Sequence, residues 1–331
     1  MKGIRRLHIL ATFTVLLCIV FTNDVEGQNL WQKLKESDSL MTSRYRNSNI
    51  DTTYIRRPNT KWTVKGRLNI SGARLLMEGV QRDIAFKSRM KADYKSTLSM
   101  GVSYLGVTLS FALNPAKLLG KYNDFEFNLN SYSNRWGFDI IYQNAHNFTG
   151  WHETKGQPRI DLPAEVLSLR SLNLNGYYAF NYRRFSYPAA FSQTYIQRRS
   201  SGSFLLGLSL QGQQAESKEF YESKLNSTNI GIGAGYGYNW VPNRRWLIHV
   251  STLPTLIVYS KTLLRVSEDR VPFDYHFPEI IVIARGAIIR QIHNMFAGLT
   301  MVYNFTSIGG RDQLLVDNGK WRARLIFGYR F

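Results

Sequence analysis

Trp321-Arg-Ala-Arg-Leu-Ile-Phe-Gly-Tyr-Arg-Phe331 closes the chain. Side chains alternate across a β-strand with a period of two. Trp321, Ala323, Leu325, Phe327, Tyr329 and Phe331 therefore share one face, and Arg322, Arg324, Gly328 and Arg330 lie mostly on the other. A face this aromatic requires an apolar medium, and a face carrying three arginines requires water or counter-charge. A closed barrel supplies both without leaving an unpaired strand edge in hydrocarbon.

The opposite end of the chain agrees. Lys2, Arg5 and Arg6 precede an apolar run from Leu7 to Phe21, followed by small residues around Val25-Glu-Gly27. The run is short for a bilayer span and has the layout of an export signal, with cleavage expected after Gly27. The only cysteine, Cys18, lies inside that run, so the mature chain is expected to hold neither disulfides nor thiol-bound metal. Mean hydropathy is −0.26 and no later stretch is apolar enough for a membrane helix. A barrel is expected to look like this, because half of each strand faces a polar interior.

Period-two reading places strands near 61–70, 93–104, 105–113, 123–132, 135–145, 169–182, 202–211, 228–239, 245–258, 279–290, 294–305 and 320–331. The expected fold is all-β, a transmembrane antiparallel up-and-down β-barrel of about twelve strands, with ten to fourteen admissible. Connections alternate between long segments (71–92, 114–122, 146–168, 212–227, 259–278, 306–319) and tight turns at Tyr104-Leu105, Ser133-Asn134, Val241–Arg244 and Gln291–Asn294. One connection breaks the rhythm: 183–201 is long where a short turn is due. The expected organisation is a signal over 1–27, a polar periplasmic lead over 28–60 and the barrel over 61–331, with both termini in the periplasm.

Four stretches carry a family likeness: Asn181-Tyr-Arg-Arg-Phe-Ser-Tyr-Pro-Ala-Ala-Phe-Ser-Gln193, Gln197-Arg-Arg-Ser-Ser-Gly-Ser-Phe204, Asp51-Thr-Thr-Tyr-Ile55 and Gly235-Tyr-Gly-Tyr-Asn-Trp240. Over about residues 50–331 the chain resembles the outer-membrane family known as domain of unknown function 4421 (DUF4421). The resemblance implies a barrel in the outer membrane of a Gram-negative bacterium and supplies no activity, ligand or catalytic residue. The terminal Phe327, Tyr329 and Phe331 also resemble the signal that the barrel-assembly machinery reads.

The formal net charge is +19, and it falls by only one when the signal is removed. For an exported chain the expected partners are outer-membrane lipids, lipopolysaccharide and small polar or anionic solutes rather than nucleic acid, with the barrel a monomer. With aromatic faces outward, Lys65, Arg67, Arg322 and Arg324 point inward from the first and last strands. Asp124, Glu126 and Asp139 do so from the fourth and fifth. Such walls suit either a solute-orienting constriction or, as the favoured reading, an ion-pair network filling a narrow interior.

Catalytic chemistry is sparse. His146, His152, His276 and His293 fall in expected loops or turns, and His249 alone lies in a strand, sharing the inward face with Ser251. A lipid hydrolase would need its Ser-His pair facing lipid, so His249 is read as structural. No histidine pair has metal spacing, and Gly231, Gly233, Gly235 and Gly237 lack the glycine at 236 that a dinucleotide loop needs, where Tyr236 stands. No cofactor, metal or catalytic residue is expected.

The segment 183–201 carries Arg183, Arg184, Arg198 and Arg199 at its ends and Phe185, Tyr187, Pro188, Phe191 and Tyr195 between them. Its aromatic side chains must pack on something. Two placements stay open, a plug in the periplasmic mouth beside the inner row of Gly207, Ser209 and Gly231–Gly237, or an interfacial belt outside the barrel. The function expected is a non-catalytic outer-membrane barrel, a narrow channel or a structural envelope component. The alternatives are a lipid hydrolase and a loop-mediated binding or adhesion protein.

Overall fold

The computed structural model describes residues 36, 39, 49–81, 84–104, 107–113, 125–146, 148–164, 166–217, 223–266, 269–271, 277–312 and 314–331. The expected signal and most of the lead fall outside these residues. In chain order the strands are β1 (Ile55–Arg56), β2 (Trp62–Gln81), β3 (Ile84–Ala92), β4 (Lys95–Tyr104), β5 (Val107–Leu113), β6 (Phe125–Tyr132), β7 (Trp136–Ala145), β8 (Phe148–Thr154), β9 (Ile160–Leu162), β10 (Leu167–Ala179), β11 (Ile196–Gln197), β12 (Ser201–Ser217), β13 (Ser223–Asn243), β14 (Trp246–Val266), β15 (Asp269–Val271), β16 (Ile280–Ile292), β17 (Met295–Gly310) and β18 (Leu314–Arg330). One short helix, α1, spans Tyr187–Phe191.

The long strands pair in the order β5-β4-β2-β18-β17-β16-β14-β13-β12-β10-β7-β6, all antiparallel. These correspond one for one to the strands expected from the sequence. The first and last are neighbours: Trp62 and Phe331 exchange backbone hydrogen bonds of 3.1 and 3.0 Å. Among the described residues no ladder joins β5 to β6.

The sheet is rolled up, because side chains far apart along it meet face to face. Arg285 on β16 pairs with Asp139 on β7, Lys320 on β18 donates to Ser171 on β10 at 2.7 Å, and Thr306 on β17 donates to Gln211 on β12 at 3.3 Å. The concave face is thus an interior. On β12 the alternation is clean, with Ser203, Leu205, Ser209 and Gln211 buried inside and Phe204, Leu206, Leu208 and Leu210 exposed outside. At the C-terminus Leu325, Phe327, Tyr329 and Phe331 lie on the exposed face, and Arg330 is only 2% exposed on the inner one.

The long connections differ from expectation. Residues 71–81 continue β2 and 84–92 form β3 beside it, while β8 and β9 occupy part of 146–168, β8 pairing with β3 and β9 with β8. Likewise β12, β13, β14, β17 and β18 run well past the expected strand limits. Several expected loops are therefore tall hairpins rising above the barrel wall. His152, expected in a loop, sits in β8, where its Nδ1 is 2.7 Å from Ser88 Oγ. The expected turns at Ser133-Asn134 and Gln291–Asn294 stand where the sequence puts them, the one at 241–244 lies slightly later because β13 runs to Asn243, and Leu105 of the remaining one lies outside the described residues; His293 takes positive φ (52°) in the last turn.

Candidate functional site

The connection between β10 and β12 turns inward at the end of the barrel that carries the short turns. Ser186 starts α1: its extended backbone (φ −131°, ψ 106°) and its hydroxyl, accepting from Ala189 N at 3.2 Å, cap the first turn. Pro188 fits that turn because no intrahelical partner is lost there. Gln193 ends the helix in left-handed geometry (φ 62°), with its N–H donating to Pro188 O at 2.7 Å. Every residue from Phe185 through Phe191 is buried.

What buries this segment is the inner wall itself. Lys65 Nζ on β2 donates to Ser192 O at 3.0 Å, and an Arg330 guanidinium N–H on β18 donates to Gln193 O at 3.1 Å. Gln291, at the end of β16, donates to Gln193 Oε1 at 3.2 Å. From the opposite side Ser186 Oγ donates to Asn134 Oδ1 at 2.6 Å, and Asn239 Nδ2 on β13 donates to Ser186 O at 3.0 Å. The segment is thus held from strands spread around the wall. The three rings of Phe185, Tyr187 and Phe191 each contribute on the order of 2–3 kcal/mol by leaving water. Burial of this much backbone is tolerable only because its polar groups are paired.

A polar chain runs beneath the helix. Tyr187 OH donates to Ser251 Oγ at 2.9 Å, Ser251 Oγ lies 2.9 Å from His249 Nε2, and His249 Nδ1 lies 2.7 Å from Asn239 Oδ1. Asn239 uses its Nδ2 on Ser186 O and on Gln197 Oε1, so its Oδ1 is the atom facing His249. The proton of a neutral imidazole then belongs on Nδ1, and Nε2 accepts from Ser251. The rings of Phe185, Tyr187 and Phe191 surround His249 with centroids 5.9, 5.1 and 5.1 Å away.

At the mouth the four arginines point out of this core. Arg183, Arg184, Arg198 and Arg199 are exposed. Arg184 Nε lies 3.1 Å from Asp51 Oδ2, and Arg184 and Arg199 both approach the Tyr54 ring. Asp51 also accepts from Thr53 N and Oγ1. Those hydrogen bonds, with Arg184, hold its carboxyl below the usual range. Tyr195 is half-buried under the Arg57 guanidinium at 4.6 Å. Residues 51–56, expected to be part of a partly flexible lead, dock here through the β1–β11 ladder, with Ile55 fully buried.

The expected charged walls are present only in part. Lys65, Arg67, Arg322 and Arg324 stand on β2 and β18; Arg322 and Arg324 line the interior cleft, and Lys65 serves Ser192 instead. Asp139 is buried but meets Arg285 on β16 and the Tyr132 hydroxyl rather than that group. Glu126 stands opposite Gln143 in the β6–β7 ladder, and Asp124 lies outside the described residues. The glycine row also differs from expectation. A Cβ at Gly237 would meet Phe185 Cζ at 2.9 Å, but at Gly231 and Gly233 it would meet the Thr255 side chain and then the backbone of β14, at Gly235 that backbone directly, and at Gly207 the side chain of Leu253. The row therefore lets β13 press against β14, and only its end receives the helix segment. Above the helix, toward the tall hairpins, lies a small cleft of about 70 Å³, lined by Asn173, Asn175, Gln143, Lys320, Arg322 and Arg324 among others.

Sequence reasoning missed Asn134, Asn239, Gln197 and Arg285 as holders of the segment. One signal was available: β16 turns Ile281, Ile283, Ala287 and Ile289 inward with Arg285 among them. An inward apolar face in a barrel announces an apolar guest.

Residues 49–331 match the family described as "Domain of unknown function (DUF4421)". No curated protein matches the chain. Among solved structures, the chain is similar to the outer membrane protease OmpT from Escherichia coli (6% identity, 83% of this chain and 98% of that one, TM-score 0.42). It is also similar to the outer membrane protein OprG from Pseudomonas aeruginosa (12%, 82% and 96%, 0.28) and to the P. putida toluene transporter TodX (8%, 83% and 91%, 0.24). At these scores the likeness assigns no activity to the chain.

Proposed function

The chain belongs to the DUF4421 family, and we propose for it the role of an integral outer-membrane barrel of a Gram-negative envelope whose interior is closed at the periplasmic end by its own 183–201 segment. The outer face supports the membrane setting. Phe204, Leu206, Leu208, Val250, Val258, Leu325 and Phe327 are each roughly half or more exposed on it, a display of large apolar side chains that suits lipid and not water. In this setting the barrel is a monomer, and lipid and lipopolysaccharide surround it. Small polar or anionic solutes enter the amide- and arginine-lined cleft from the hairpin end. The closed barrel is a non-catalytic envelope component and a narrow conduit only when the segment moves.

The single observation that carries this reading is the complete burial of Phe185, Ser186 and Tyr187 inside the curled sheet. Planar-bilayer recording tests it. Refolded protein should be electrically silent, and the triple variant Phe185→Ala, Tyr187→Ala, Phe191→Ala should pass ions. Equal steady conductance in both would show that the segment does not close the path.

A further inference from the structure

The hydrogen-bonded chain beneath α1 has a direction. Asn239 accepts from Nδ1–H of His249 and leaves Nε2 as the acceptor for the Ser251 hydroxyl, which is the arrangement in which imidazole removes a proton from a serine. Nothing in the closing of a mouth requires that order. A fourth group stands beside it. Arg285 lies directly across the β14–β16 ladder from Ser251, on the same inner face, and its Nε is buried with no hydrogen-bond partner among the described residues. A buried unpaired guanidinium N–H costs free energy unless something negative is to be met there. The Tyr187 hydroxyl occupies the space next to Ser251 Oγ, and the rings of Phe185, Tyr187 and Phe191 fill the volume before it.

We propose that Ser251, His249 and Asn239 form a latent acyl-transfer site, covered by α1 in the closed barrel and opened when 183–201 withdraws, with a carboxylic ester bearing an apolar acyl group as its substrate class. The vacated pocket, being the imprint of three aromatic rings, is apolar, which sets the acyl preference. In the first step Ser251 Oγ bonds to the carbonyl carbon while its proton passes to His249 Nε2. The carbonyl electron pair moves onto oxygen, where Arg285 Nε–H can donate. Collapse of this intermediate breaks the C–O bond to the alcohol, which leaves with the proton from Nε2. Water then attacks the acyl-serine by the same route, giving the acid and restoring Ser251. Asn239 touches no reacting atom and is a positioning residue.

The inference rests on the closing role of 183–201, and its test separates the two. Lys65→Gln with Arg330→Gln removes two anchors of the segment without touching the four site residues. Where that double variant leaves conductance unchanged, replacement of 187–191 by five glycines takes its place. Folded protein is selected by its resistance to unfolding in detergent, opening is read as conductance, and the site is read by covalent labelling with a fluorophosphonate ester. The wild type should label little or not at all. The opened barrel should label at residue 251, with loss of signal on Ser251→Ala and at least about a 100-fold slower reaction on His249→Ala. Asn239→Asp should retain more of the rate than Asn239→Leu, a rescue that a purely structural role in the folded, opened barrel would not give. An opened, folded barrel that takes no label overturns the proposal, as does labelling that survives Ser251→Ala. A wild type that conducts overturns the closing role instead, and its own labelling then decides the site.

Discussion

The two ends of the interior are built on opposite principles. At the turn end the lumen is filled: aromatic rings, a capped helix and paired amides leave Phe185, Tyr187, Asn239 and His249 at or near zero exposure. Toward the hairpin end it keeps a small cleft of about 70 Å³ whose lining is largely asparagine, glutamine, lysine and arginine. The same strands build both, changing their inward residues along their length. The difference teaches that interior polarity in a barrel reports what occupies each level, solvent or a guest segment.

The largest effect should come from the buried ion pair that joins the two levels. Asp139→Asn leaves Arg285 charged and buried without its carboxylate and should cost about 3–5 kcal/mol in unfolding by denaturant. Asp139→Leu with Arg285→Met should cost much less. A double variant no better than the single would mean that the pair holds more than its own charges. In the filled level, Phe185→Ala should cost about 3–5 kcal/mol through the cavity it leaves. Asn173→Ala in the open level should be nearly neutral by the same assay, and equal losses would erase the contrast.

Facing gives the next effect. Leu325→Arg or Phe327→Arg puts a charge on the outer surface and should cost about 2–4 kcal/mol near the bilayer centre, with Arg324→Gln milder. Equal refolding stabilities would mean the faces are inverted. Gly237→Ala places a Cβ 2.9 Å from Phe185 Cζ, and the ring must shift. A loss of about 1–3 kcal/mol is expected, and Gly66→Ala, with open space around it, should show none.

The smallest effect lies at the mouth. The Asp51 carboxyl titrates below its ordinary value because of Thr53 and Arg184, so its contribution is full above the unfolded pKa and is lost as pH falls through the folded one. Docking of 51–56 on the arginines should therefore loosen only below about pH 4. Protease cleavage near Arg56 followed against pH would show it, and Asp51→Asn should abolish the pH step.

The wall was legible because lipid on one side and a crowded interior on the other impose alternation, as in Phe204–Gln211 and Leu325–Phe331. The tall hairpins were not, because runs such as Leu75-Leu-Met77 break the period of two in the sequence, although the folded strands bury Ala73, Leu75, Met90 and Ala92 on one face. The closing segment was legible as an anomaly of length and aromatic content. Its seat was legible only at Gly237, which meets Phe185; the glycines at 231–235 answer to Thr255 and the backbone of β14, a contact along the sheet that a pattern of small residues does not distinguish from a guest. The Ser251–His249–Asn239 chain was half legible, since parity joins His249 to Ser251 on one strand. Asn239 enters through the β13–β14 register, which a turn of uncertain length hides.

The central claim is that 183–201 closes the filled level, and thiol accessibility tests it most directly. Phe191→Cys and Arg199→Cys differ by whether the side chain is inside the barrel or at its exposed mouth; Phe191 is 6% exposed. In folded protein a soluble maleimide should modify residue 199 at the rate of a free thiol and residue 191 at least about 100-fold more slowly, the protection expected of a site that opens only locally. Equal rates at the two positions would contradict the account.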